Sequence, residues 1–393
     1  MWKNKNVWII LIAEFIVGIG LWAGIIGNLS FMQALVPSDF VKSIILAIGM
    51  LAGVLIGPYA GKMIDKVSKR RVLMLSNVGR VLSVCFMFIA IATDSIVWMI
   101  VFLISLQLSA AFFMPALQAV IPMVAKDEEL LTLNGWHMNV RTVSRIIGTA
   151  AAGFVLSYVD LYWLYVISFV MYVLMIVMMS LLEIPEDRVP SKGRATGGSF
   201  KEVWPMLKEH PVVLMTLVLT LIPLLFLGSF NLIVINLVEL HDSTSLSGLL
   251  YTVEGIGFML GAFLVKRISE YVNIGVFLFS VTVVMGILDV SLFVADVKWL
   301  AVATFACYGF TVGLFFPIAV TIFQRKVPKE YHGRFFSFRN MVDQMSFQIV
   351  LLSAGALLDL LGVQLLGVVF GGISLLLTIF FLMEAKRKRV SFA

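Results

Sequence analysis

The chain has 393 residues, 61% hydrophobic and 13% charged, with a mean hydropathy of +1.02, whereas soluble domains carry about 25% charged residues and could not bury so much apolar surface. The two cysteines, Cys85 and Cys307, fall within apolar runs and argue for neither a disulfide framework nor a metal site. A net charge of +6 raises nucleic acid or anionic lipid as partners, but the placement of the cations points to membrane topology instead.

Crossing the hydrocarbon layer takes about 20 mainly apolar residues, and such runs follow one another almost end to end. The first, 7–30, is too long for the core of a cleaved leader and lacks a small-residue cleavage pattern, so it reads as a retained helix. Further runs fall at 41–62, 72–93, 96–122, 134–158 and 162–182. After a polar connection they resume at 210–238, 246–266, 273–294, 299–324, 334–358 and 363–383. The expected fold is all-α and integral to the membrane, with twelve transmembrane helices.

Loop charges orient these spans. With the N-terminus inside, the cytoplasmic segments hold Lys3 and Lys5, the cations from Lys62 to Arg71, Lys126, those from Arg188 to Lys208, Lys266 and Arg267, those from Arg325 to Arg334, and Lys386 to Arg389. The opposite loops hold only Lys42 and Lys298 among cations, alongside Asp39, Asp94, Asp160, Asp242, Asp296 and Asp359. Positive residues concentrate on the cytoplasmic side of short loops, so a multi-pass protein of the cell membrane with both termini in the cytoplasm is expected.

The connection at 183–209 contains Pro185, Pro190, Gly193, Gly197 and Gly198, the composition of a linker. It divides a six-helix bundle, 1–182, from a second one, 210–393, that ends in a basic cytoplasmic tail. Ser199 and Glu202 have capping-box spacing, and Phe200, Val203, Trp204 and Leu207 recur at helical spacing, which favours a short interfacial helix; Pro205 argues against it. The halves echo each other at an offset near 200: PALQAVIPMVAKDEEL from Pro115 matches PIAVTIFQRKVPKEY from Pro317, and Gly153 falls opposite Gly355.

The loop between the second and third helices reads GKMIDKVSKRRVL, from Gly61 to Leu73. It resembles the GxxxDRxGRR signature of the major facilitator superfamily at Gly61, Asp65, Lys66, Lys69 and Arg70, with Ser68 where a second glycine is usual. The resemblance implies the major facilitator fold of two pseudo-symmetric six-helix bundles, and a conformational switch in which Asp65 pairs with a base in one state only. The plainer alternative is that these cations merely follow the positive-inside rule. In the second half, GAFLVKRISE from Gly261 has Ser269 in place of the acid.

In the fifth helix, GTAAAG from Gly148 to Gly153 resembles the GPxxGG element of antiporters, with Thr149 replacing the proline and Ala152 a glycine; close helix packing is the competing reading. The segments TIFQRKVPKEYHGRFFS (Thr321 to Ser337), PALQAVIP and LLTLNG look like their counterparts in macrolide-efflux proteins. This resemblance implies the macrolide and siderophore exporter branch of the drug:proton antiporters. Antibiotics, siderophores and lysolipids all remain open as cargo, since a fold does not fix a substrate.

Ionisable residues within spans are costly in lipid and mark cavities or relays; here they are Glu14, Arg80, Arg141, Arg145, Glu254, Asp289, Arg339 and Asp343. The resemblance places the first and eighth helices, and so Glu14 and Glu254, along a central cavity. A carboxylate there alternates between a proton and a cargo-coupled state, or else pairs structurally with arginine. Arg141 and Arg145 share one helix face at i, i+4, as do Arg339 and Asp343, which neutralise each other on the simplest reading. The two arginines of the fifth helix need acids or an anionic ligand, unless they snorkel to the headgroups. Arg80 and Asp289 are expected to serve local structure.

His137, His210, His241 and His332 are scattered, and no CxxC, HExxH, GxSxG or GxxxxGK[ST] occurs. The expectation is therefore not an enzyme but a secondary transporter without cofactor or metal, driven by an ion gradient. Its expected partners are an amphipathic small molecule, macrolide-like or multidrug in class, protons and membrane lipid, with no nucleic acid and a monomeric state.

Overall fold

A computed structural model describes residues 2–124, 127–183, 203–328 and 332–388, with no strand among the described residues. The first seven helices are α1 (Lys5–Leu35), α2 (Asp39–Lys66), α3 (Lys69–Thr93), α4 (Ile96–Val124), α5 (Asp127–Leu156), α6 (Leu161–Ser180) and the short α7 (Val203–Glu209). They are followed by α8 (Pro211–Leu219), α9 (Leu221–Leu240), α10 (Ser245–Ser269), α11 (Ile274–Ser291), α12 (Lys298–Lys326) and α13 (His332–Arg387).

Among the described residues, 10 helical stretches are long and apolar enough to cross a membrane. One of them, Phe338–Arg387, is a double span, because Gly362 interrupts α13 with φ 75 and ψ 173, a left-handed conformation that glycine adopts without penalty. Helices α8 and α9 form a single span, Pro211–Leu240, interrupted at Thr220. Helix α5 completes a set of twelve; polar first turns, from Asp127, carry it several residues before the apolar run that begins at 134. The protein is thus an all-α, multi-pass membrane protein.

Local chemistry sets the helix ends. Val36 precedes Pro37, which disfavours helical backbone, and α1 stops there with Val36 at φ −120 and ψ 104. Asn4, Ser68 and Asn273 cap α1, α3 and α11 by accepting from backbone N–H groups of the first turn. The capping-box pair Ser199 and Glu202, with Phe200, lies outside the described residues, whereas α7 covers Val203, Trp204 and Leu207, with Val203 and Leu207 buried and Trp204 exposed.

Two compact units result, one comprising Met1–Pro37, Ile44–Gly193 and Ser243–Thr252, the other Ser38–Ser43, Arg194–Asp242 and Val253–Ala393. In the first, α1 packs on α5 and α6, and α3 on α4 and α6. The Tyr165 hydroxyl donates to Asn28 Oδ1 at 2.6 Å and the Ser168 hydroxyl to the Gly20 carbonyl at 2.8 Å, tying α6 to α1. Gly148 lies where a Cβ would sit 3.1 Å from Trp22 and 3.2 Å from Ile19, and Gly153 meets Gly248 backbone to backbone.

In the second unit, α13 packs on α9 and α11, and α11 on α12. Gly257 and Gly261 of α10 face Gly309 and Gly313 of α12, and a Cβ on any of the four would overlap a carbonyl of the opposing helix. Both pairs have the small-xxx-small spacing through which helices approach closely in lipid. Gly355 bears in the same way on Asp39 and Ser43.

Candidate functional site

Buried polar groups in a membrane protein are expensive, so their clusters locate the chemistry. The first unit holds one centred on Glu14 of α1, which is 5% exposed. Its carboxylate meets His137 Nε2 at 3.3 Å and Arg141 Nε at 3.3 Å, both from α5. His137 and Arg141 are one helical turn apart and so present the same face. Arg141 is half-exposed while His137 is buried, so the pair runs from an accessible guanidinium inward.

Arg80 of α3 belongs to this cluster as well. It is 7% exposed, its Cζ stands 4.3 Å from the centroid of the Phe113 ring of α4, and Glu14, Arg141 and Tyr172 of α6 lie within electrostatic range. Asn77, fully buried, shares its face of α3 at i, i+3. Among the described residues neither side-chain polar atom of Asn77 has a hydrogen-bond partner, nor has Arg80 Nε. The expectation that Arg80 serves only local structure thus meets a side chain lodged among the ionisable groups of three other helices.

The remaining candidates are distributed as follows. Arg145 lies over the Trp22 ring at 5.7 Å. Glu254, in the second unit, is 3% exposed, and its backbone is held against Gly309. Arg339 pairs with Asp343 at 3.3 Å and lies 4.9 Å from the Phe323 ring centroid, the mutual neutralisation that their spacing suggests. Asp289 is buried beside Ser374, whose hydroxyl donates to it at 3.4 Å. Of the loop motif, Arg70 donates to the Ser180 carbonyl at 2.7 Å and Lys69 opens α3, whereas the side chains of Asp65 and Lys66 and the packing of Gly61 lie outside the described residues.

A further polar cluster was not legible beforehand. Asp359 accepts from the Ser38 hydroxyl at 2.6 Å and from the N–H groups of Asp39 and Phe40 at 2.6 and 3.1 Å, capping α2 from a distant part of the chain. Asp39 in turn holds Lys42, only 2% exposed, at 2.9 Å and accepts from Asn236 at 2.8 Å. Partial burial lifts the Asp359 carboxyl, but the Ser38 hydroxyl, the two N–H groups and Lys42 outweigh it and hold the group below the usual carboxylate range. His137 could have been found from its i, i+4 relation to Arg141; nothing in the sequence links Asp359 to Ser38.

The family model of the Major Facilitator Superfamily matches residues 10–346 and 233–393. The chain belongs to this superfamily of transporters. Within it, the chain is 24% identical over 350 residues to macrolide efflux protein A of Streptococcus pyogenes, covering 83% of each. It is 23% identical over 325 residues to macrolide efflux protein A of Enterococcus faecalis, covering 77% of this chain and 96% of that one. Among solved structures, a mutant of the nucleoside transporter NupG superposes with a TM-score of 0.78 at 13% identity, over 96% of this chain and 99% of that one. The last likeness shows a shared major facilitator fold, two pseudo-symmetric bundles of six helices, and no more.

Proposed function

We propose that this transporter exports an amphipathic small molecule, macrolide-like or multidrug in class, from the cytoplasm by alternating access in exchange for protons. The observation that carries the reading is Glu14, a carboxylate buried in a spanning helix whose partners are the titratable His137 and the half-exposed Arg141. A proton on Glu14 ends its attraction to Arg141, so proton binding and the arrangement of α1 against α5 are linked at one atom. The likeness to two macrolide efflux proteins supports the direction and the cargo class. The bundles at 1–182 and 210–393 with a linker between them, cytoplasmic termini and a monomeric state belong to the same proposal. Glu254 serves as a second proton or cargo site, and Asp65 with Lys66, Lys69 and Arg70 biases which side is open.

The test uses everted membrane vesicles carrying the full chain, with an internal pH dye and a lipophilic macrolide as cargo. Wild type releases lumenal protons when cargo is added. Glu14→Gln, checked for expression and monodispersity, loses that release. If Glu14→Gln and Glu254→Gln both retained cargo-driven proton release, the coupling assignment would be wrong.

A further inference from the structure

The cluster in the first unit does not balance electrically. Glu14 is a single carboxylate set against the guanidiniums of Arg80 and Arg141, one acid between two permanent cations. Arg141 takes the direct contact with Glu14 at 3.3 Å, so the uncompensated charge resides on Arg80, the more deeply buried of the two. Among the described residues no acid contacts it, and a guanidinium buried in a spanning bundle without an acid is unfavourable unless an anion completes it.

The geometry says what kind of anion fits. The Phe113 ring centroid lies 4.3 Å from the guanidinium carbon, a cation–π contact that occupies no N–H donor of Arg80. Nε, with the Nη beside it, forms the side-on edge of the arginine fork, the edge that matches the two oxygens of a carboxylate. That Nε lacks a partner among the described residues, and so does Asn77 Nδ2, a third donor on the same face of α3. Both residues are more than nine-tenths buried, so neither is satisfied by bulk solvent.

We infer that Arg80 and Asn77 form a carboxylate-binding subsite within the first unit, so that the molecules this protein takes up include amphiphiles bearing a carboxylate. The inference deepens the export reading and rests on it only in treating the bound group as part of the cargo. Carboxylate binding to Arg80 leaves the Glu14–Arg141 contact in place and gives each guanidinium its own acid. Such a carboxylate has two sources, a soluble amphiphilic acid or a free fatty acid from the bilayer, and the two share the recognition chemistry.

The experiment measures equilibrium binding to the purified full chain by thermal shift and calorimetry, without any proton gradient, so loss of coupling and loss of this subsite are read separately. The probes are 2-naphthoate, its isosteric cation 2-naphthamidinium, decanoate and chloride. Wild type is expected to bind a carboxylate probe, with affinity falling at least about tenfold in Arg80→Gln, as for loss of a charge-assisted bidentate contact. Arg80→Lys restores only part of it, because an ammonium lacks the fork. Asn77→Asp sets a fixed carboxylate beside Arg80 and is expected to weaken probe binding equally, so it decides the matter if Arg80→Gln does not fold. Binding of the cation stays unchanged in all three variants. Arg80-dependent binding of naphthoate identifies a soluble acid and of decanoate alone a fatty acid, and both outcomes support the subsite. Arg80-dependent chloride binding without either carboxylate, carboxylate binding that ignores Arg80 and Asn77, or no carboxylate binding at millimolar concentration overturns it.

Discussion

The contact between α10 and α12 offers the sharpest test of the packing. At Gly309, an added Cβ would overlap the Glu254 carbonyl oxygen and stand 2.8 Å from its carbon and 2.9 Å from its Cα. All three are backbone atoms, so no rotamer change relieves the overlap and the helices must separate. Overpacking of a tight interior costs about 1–3 kcal/mol, and with no side chain able to yield the upper figure applies, about 3 kcal/mol for Gly309→Ala. Taking about 2–4 °C per kcal/mol for a body of this size, the melting temperature falls by roughly 6–12 °C. The matched control is Gly372→Ala on α13, where nothing lies within 4 Å of the new methyl group; exchange of a helical glycine for alanine there is neutral or stabilising by about 0.5–1 kcal/mol. The assay heats solubilised protein and follows the monodisperse fraction by size exclusion. A Gly309→Ala protein that melts with the wild type, or a Gly372→Ala protein that melts as early as Gly309→Ala, refutes the reasoning.

Two further outcomes are expected. Tyr165→Phe removes the 2.6 Å hydrogen bond to Asn28 Oδ1 and strands a buried acceptor, at a cost of about 1–3 kcal/mol, read as a lower melting temperature that Tyr165→Phe/Asn28→Leu recovers in part. Asp359 has a depressed folded-state pKa, so its capping contribution, about 1 kcal/mol as for other helix caps, is fully present above the unfolded value near 4 and is lost as pH falls through the folded one. Melting of Asp359→Asn is therefore expected below wild type across pH 5–8, with the gap closing only in stronger acid; a gap that closed near neutrality would contradict the cap.

The sequence by itself determined the spans, their approximate ends and the superfamily, because the bilayer demands a run of about 20 apolar residues for each crossing whatever the packing. The gap expected between the last two runs, 358 to 363, falls where Gly362 interrupts α13, whereas α1 continues to Leu35, beyond the expected end at 30. Pairs on one helix were legible too, since Arg339 and Asp343 meet as i, i+4 geometry requires. Contacts between helices were not. In water, the apolar stripe of a helix reveals which side faces inward, but here lipid and protein interior are alike apolar and the rotation of each helix leaves no mark in its composition. Only the tertiary structure therefore turned Arg80 of α3 toward Glu14 and Arg141, brought Asp359 to the start of α2, and set Gly257 and Gly261 against Gly309 and Gly313.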